Sequence, residues 1–250
     1  MFPQLADWLT DPANWTGDGG LLQRIAEHLR YTIIAVFGAA LFAVPVGLAV
    51  GHTGRGATVV VGLANAMRAL PTLGVITLLS LQFGVLKVGP VLLGLGILAV
   101  PPILAGAYAG VQSVDRAAVD AAAGVGMTSW QRLWKVEVPI AMPLLLGGLR
   151  GAVLQVVATA TVAAYVGLGG LGRPLLDGLR VTDYPRVAGA AVVVALLALL
   201  LDLGLAGVQR GVVPRGLRLA SGPRSPRRRG PFSWGGNRLV EPADQAGIRS

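Results

Sequence analysis

The chain has 250 residues, of which 54% are hydrophobic and only 13% charged, against about a quarter charged in an ordinary soluble domain; its mean hydropathy is +0.66. That composition excludes a water-soluble body and an intrinsically disordered one, and the absence of Cys excludes disulfides, Cys-ligated zinc, iron–sulfur clusters and thiol catalysis. The net charge of +9 is uneven, because residues 210–250 hold nine arginines against Glu241 and Asp244 while residues 1–209 are nearly balanced.

Residues 1–20 are polar and acidic, with Asp7, Asp11 and Asp18. No basic stretch followed by a small-residue cleavage site is present, so no cleavable signal is expected. Over 21–30, Leu22, Ile25, Ala26 and Leu29 share one face at helical spacing, opposite Arg24, Glu27, His28 and Arg30. This predicts an interfacial helix leading into the membrane.

A spanning helix needs about 20 mainly apolar residues, and five segments qualify: 31–50, 57–85 with a kink at Pro71, 88–111 with Pro101 and Pro102, 139–162, and 187–208. The expectation is an all-α, multi-pass protein of the plasma or inner membrane. The link 51–56 is basic without acids, and the tail after the fifth span is rich in Arg. The positive-inside rule puts both in the cytoplasm, leaving the N-terminal segment 1–20 and the 163–186 loop outside. The tail 210–250 reads as disordered and cytoplasmic, a topology anchor touching anionic lipid. No aromatic-lined groove accompanies its charge, which argues against nucleic acid as a partner.

Two histidines, His28 and His52, far apart in sequence, leave no His-rich metal site. The chain has no phosphate-binding loop, since Lys87 and Lys135 are both followed by Val. Gly167–Gly172 satisfies Gly-x-Gly-x-x-Gly, but it follows a span rather than a strand and lacks the acidic residue about 20 positions on. It reads as a tight external or re-entrant turn near a gate, or as a plain connection.

Segment 113–139 has structure of its own. Asp115 can cap a helix running to Ala123, Gly124 and Gly126 break it, and Thr128 with Gln131 fits a capping box opening a second short helix. Two short helices about a Gly turn make either a rigid knob for a partner subunit or a helical link between spans.

The pattern of this segment resembles the EAA loop of ABC-importer permeases. Asp120-Ala121-Ala122, then Gly126, then Val136-Glu137-Val138-Pro139 keep that loop's spacing, with Asp in place of its Glu. The resemblance covers about residues 21–209 and is strongest to permeases for osmoprotectants of the glycine betaine, carnitine and choline class. Supporting it are Glu27-His28-Leu29, Leu70-Pro71-Thr72-Leu73, Pro102-Ile103-Leu104, Tyr108-Ala109-Gly110, Gly148-Leu149-Arg150 and the Gly167–Gly172 turn. Arg68 departs from it, since those relatives usually carry an uncharged polar residue there. Methionine permeases share the five-span plan and are the nearest alternative.

The resemblance implies a transporter subunit of the MetI-like type I fold rather than an enzyme, with no catalytic residues and no cofactor of its own. It implies a second permease, identical or not, and two cytoplasmic ATPases that use ATP and grip the knob at Asp120, Ala121, Ala122, Gly126 and Pro139. It also implies an external substrate-binding protein.

Asn65, Arg68, Thr72 and Ser80 fall on one face of the second span at helical spacing, and Gly148, Ala152, Gln155 and Thr159 on one face of the fourth. Such faces turn away from lipid, to line a path or to hydrogen-bond between helices. Arg150 lies about 16 Å into the fourth span and Asp202 about 12 Å from the cytoplasmic end of the fifth. They are expected to pair, the alternative being that each faces water. A secondary transporter would need more intramembrane acids than Asp202 supplies, and a membrane hydrolase would need a nucleophile–His–acid set.

Overall fold

The computed structural model describes residues 2–213, and every regular element among them is helical. In chain order the α-helices are α1 (Phe2–Thr10), α2 (Leu21–Thr53), α3 (Ala57–Arg68), α4 (Thr72–Phe83), α5 (Val88–Gln112), α6 (Arg116–Gly124), α7 (Ser129–Arg132), α8 (Val138–Thr159), α9 (Gly172–Arg180) and α10 (Tyr184–Val212), with 3-10 turns at Pro12–Asn14 and Ala160–Val166 and a π turn at Leu133–Glu137. Among the described residues α2, α5, the run containing α8, and α10 are each long and apolar enough to cross a membrane. The pair α3–α4 makes a fifth crossing if counted as one broken span.

Helix α5 lies between α2 and α8 and is the most enclosed element, with Leu95, Ala99 and Ile103 almost fully buried. Small residues bring the backbones together. A Cβ on Gly106 would lie 2.7 Å from the Gly148 Cα, and one on Gly47 would lie 2.7 Å from the Ala107 Cβ. Association inside a bilayer rests on such close packing, because lipid tails are as apolar as the helices themselves.

Several expected boundaries change. The interfacial helix 21–30 and the span 31–50 form one continuous 33-residue α2. Nothing between them breaks a helix, and Gln23, Arg24, Glu27 and His28 of its first turns hydrogen-bond within the protein. The second span is two helices bent by 88°. Pro71 lacks an N–H and disfavours helical geometry at Leu70, so the chain turns there, and the four polar residues expected on one face fall on either side of the bend.

At the C-terminal side α10 reaches Val212, so the expected tail boundary at 210 falls inside a helix, with Gln209 Nε2 donating to the Pro143 carbonyl at 2.9 Å. The rest of that tail lies outside the described residues. Within 1–20, α1 packs on α10, and a Cβ on Gly189 would collide with the Trp8 ring. Trp15 Nε1 donates to the Leu9 carbonyl at 2.7 Å.

Candidate functional site

The segment 113–139 folds as a hairpin of short helices. Asp115 caps α6, its carboxylate accepting from the Ala117 N–H at 2.9 Å. Gly126 closes the helix at φ +84°, a left-handed conformation that favours glycine, and its N–H donates to the Ala123 carbonyl at 2.9 Å. Thr128 and Gln131 form a complete capping box at the start of α7. No loop follows α7. Leu133–Glu137 is a π-helical turn that runs straight into α8, and this widened turn accommodates Pro139, which cannot donate to the carbonyl four residues back. The reading in which Pro139 starts the span is therefore adjusted: α8 is already continuous with α7.

Asp120 and Ala121 are exposed on α6, Ala122 is buried where α6 packs on α7 and the turn after it, and Pro139 is half-buried. Leu133 is buried with Ala141, Leu48, Ala107 and Val111. Trp130 and Trp134 stay largely exposed, packed edge to face with ring centroids 5.4 Å apart. Val125 at the tip is 77% exposed. The outward surface of the hairpin is thus apolar and aromatic, as a docking element requires.

A tie that the sequence did not reveal holds the hairpin to α2. His52 Nδ1 lies 2.6 Å from Glu137 Oε2, and His52 Nε2 lies 2.6 Å from Ser129 Oγ. A carboxylate only accepts, so Nδ1–H is the donor to Glu137 whatever the charge on the ring. Glu137 is 4% exposed, and this contact satisfies it. Beside it, Gln112 Nε2 donates to the Gly51 carbonyl at 2.7 Å. A cavity of about 410 Å³ opens at this foot, lined among others by His52, Arg55, Arg116, Asp120, Arg132 and Glu137.

At the other end of α2 a second set of contacts holds the glycine-rich turn. Glu27 accepts from the Gly170 N–H at 2.7 Å and from Arg24 at 2.9 Å. Fully buried His28 accepts at Nδ1 from the Leu171 N–H at 3.3 Å and contacts the Val157 carbonyl through Nε2 at 2.9 Å. Together these contacts fix the neutral Nε2–H tautomer. A Cβ on Gly169 would overlap the Glu27 carboxylate, which explains a glycine there. In the sequence Glu27 and His28 stand out as polar-face residues of the 21–30 helix and in the family resemblance, and nothing there links them to the glycine-rich turn.

The expected path-lining residues separate into two groups. Asn65 and Arg68 are exposed and line a cavity of about 200 Å³ with Val61, Ala64, Leu104 and Tyr108. Thr72 is half-buried at the start of α4, and Ser80 is buried farther along the same helix. The α8 residues are engaged inside the bundle: Gln155 Nε2 donates to the Leu98 carbonyl of α5 at 3.0 Å, and Thr159 Oγ1 donates to the Gln155 carbonyl at 2.8 Å. Arg150 and Asp202 meet across α8 and α10, with Nε and a terminal nitrogen each donating to a different carboxylate oxygen. Among the described residues no group of His, Cys, Asp and Glu could hold a metal ion.

Comparisons with known proteins give the same architecture. Residues 35–216 match the family described as "Binding-protein-dependent transport system inner membrane component". The chain is 36% identical, over 81% of its length and 93% of the relative, to the glycine betaine/carnitine/choline transport system permease protein OpuCB of Bacillus subtilis. It is 31% identical, over 80% of its length and 95% of the relative, to the osmoprotectant import permease protein OsmW of Salmonella typhimurium. A chain of the MetNI methionine ABC transporter in an inward-facing conformation superposes with a TM-score of 0.69, covering 78% of this chain and 96% of that one at 20% identity.

Proposed function

Because the chain belongs to the family of binding-protein-dependent transport system inner membrane components, we propose that it is the permease subunit of an ATP-driven importer for a compatible solute: glycine betaine, carnitine or choline. The single observation that carries the substrate class is its identity of 29–36% to permeases named for those solutes or for osmoprotectants, across nearly the whole length of most of them. Two copies, or this chain and a second permease, form the path. Two ATPases dock from the cytoplasm on the hairpin α6–α7, and an external binding protein delivers the solute. The cytoplasmic side is the one bearing the basic 51–56 link, the hairpin and the arginine-rich C-terminal segment.

The geometry supports a direct mechanical coupling. The hairpin's exposed Asp120, Ala121 and Gly126 sit around a tip whose shape is fixed by two caps and a left-handed glycine. Since α7 continues into α8 without a joint, a push on the hairpin moves α8 as a rod. His52 carries the same displacement to α2. ATPase closure thereby shifts two of the three helices of the packed core, and the arm α3–α4 follows through α5.

The test is uptake of labelled glycine betaine by cells holding the ATPase and binding protein, with and without this permease, in competition with choline, carnitine or methionine. The expected result is saturable uptake that is lost on deletion and competed by choline or carnitine. Uptake of methionine alone would overturn the substrate class. Gly126→Val, which puts a β-branched residue at φ +84°, adds about 1–3 kcal/mol of local strain. It is expected to lower uptake at least about tenfold while the protein still inserts. Full uptake by that variant would remove the hairpin from the mechanism.

A further inference from the structure

Helix α3 ends on a charge that nothing among the described residues neutralises. Two arginines lie well inside the spanning helices, Arg68 and Arg150. Arg24 and Arg30 stand in the first third of the 33-residue α2, which at about 50 Å overshoots a hydrocarbon core of about 30 Å. Arg150 has Asp202. Arg68 has no carboxylate within ion-pair distance among the described residues, and the sequence holds no Asp or Glu between Glu27 and Asp115. Counted as one broken span, α3–α4 carries Arg68 near its middle, at the bend rather than at either end. A guanidinium facing lipid at that depth is strongly disfavoured, yet Arg68 is exposed on this chain. It therefore faces water or another polar body.

Its surroundings say what that body is. Arg68 borders the cavity of about 200 Å³ between α3 and α5, where Val61, Ala64 and Leu104 give an apolar wall and Asn65 and Tyr108 give the polar groups. A small apolar pocket edged by one cation suits a compact solute with an anionic end and a weakly hydrated body. A planar guanidinium binds a carboxylate through two parallel hydrogen bonds. The same charge repels a solute that is only a cation.

We infer that Arg68 reads the carboxylate of the transported solute at the α3–α4 bend, so that the permease itself favours carboxylate-bearing zwitterions of the betaine and carnitine type over a carboxylate-free cation such as choline. This rests on the osmoprotectant reading above for its solutes, and on Arg68 and its cavity for the site. It places part of the selectivity in the membrane subunit rather than wholly in the binding protein. Arg68 could instead serve only the C-terminal dipole of α3, and in that case solute identity would not matter.

The experiment reconstitutes the permease with its ATPase and binding protein in liposomes and measures uptake of labelled glycine betaine, carnitine, choline and methionine for wild type, Arg68→Gln and Arg68→Lys. The binding protein's own preference cancels in each variant-to-wild-type ratio. Arg68→Gln is expected to lower betaine and carnitine uptake by about tenfold or more and to leave choline uptake unchanged or raised. Arg68→Lys is expected to retain most betaine uptake, because the charge remains. An unchanged betaine-to-choline ratio in Arg68→Gln, or an equal loss of every solute, would overturn the inference. If wild type carries methionine but no osmoprotectant, and Arg68→Gln abolishes that uptake while Arg68→Lys retains most of it, the carboxylate site stands and the osmoprotectant reading falls. No uptake of any of the four by wild type would overturn both.

Discussion

At the Thr53 end of α2, His52 meets Glu137 and Ser129 side chain to side chain; at the Leu21 end, Glu27 and His28 meet mostly the backbone of a glycine-rich turn. The first kind of contact specifies residues on both partners, and two side-chain rotors can stay bonded while the helices tilt. The second fixes side chains on α2 but takes from the turn only backbone N–H groups and the glycine at 169, where a Cβ would overlap Glu27. The turn supplies N–H groups in fixed directions, so the contact holds in one geometry and must let go for the turn to move. One rod thus carries an adaptable joint at the hairpin and a rigid clasp at the turn, which suits a helix that must transmit motion at one end and open at the other.

The largest effect is expected at the joint. Glu137→Ala leaves the His52 Nδ1–H without its acceptor in a nearly buried site, at about 1–3 kcal/mol. It also weakens the tie of the hairpin to α2, leaving His52 only its contact with Ser129. Solute uptake driven by ATP is expected to fall about tenfold or more, with the unfolding midpoint of the detergent-solubilised protein lowered. Glu137→Gln keeps an acceptor oxygen and is expected to lose much less. Equal losses in both variants would mean that charge, not the bond to His52, matters there.

The clasp is expected to respond mainly in stability. His28→Leu removes one acceptor and one donor from a fully buried position, taking its partner from the Leu171 N–H and one partner from the Val157 carbonyl, at up to about 1–3 kcal/mol for each group. His28→Gln can restore only one of the two contacts, so its unfolding midpoint should fall between wild type and His28→Leu. If the two variants unfold together, the imidazole packs there without the hydrogen bonds contributing.

The joint and the clasp also differ in how far the sequence disclosed them. The caps of the hairpin are local: Asp115 and Ala117, or Thr128 and Gln131, lie within three residues of each other, and spacing alone revealed them. Apolar runs of membrane length located the spans, and Pro71 marked a break. The angle of that break was not legible, because the pattern stays apolar on both sides of it and the bend is set by packing on α5. Nor was the His52–Glu137 tie, since its partners lie 85 residues apart and no local pattern connects them. The one available hint was an acid flanked by Val136 and Val138, which had to be paired or exposed. Helix α1 was hidden by the acids around it, although Leu5, Trp8 and Leu9 already had helical spacing.

The smallest effect sharpens the contrast between shape and attachment at the hairpin. Thr128→Ala removes the side chain that accepts from the Gln131 N–H at 3.3 Å, a cap worth about 1 kcal/mol. The joint through His52 and Ser129 remains, and so does the continuity of α7 with α8. If attachment rather than local helix stability governs coupling, Thr128→Ala should lower uptake less than about threefold, while Glu137→Ala, with a stability loss of the same order, lowers it far more. Measuring both variants at equal membrane abundance separates the two quantities. Equal uptake losses would mean that the hairpin works through the order of its own helices, and that its tie to α2 only helps to maintain that order.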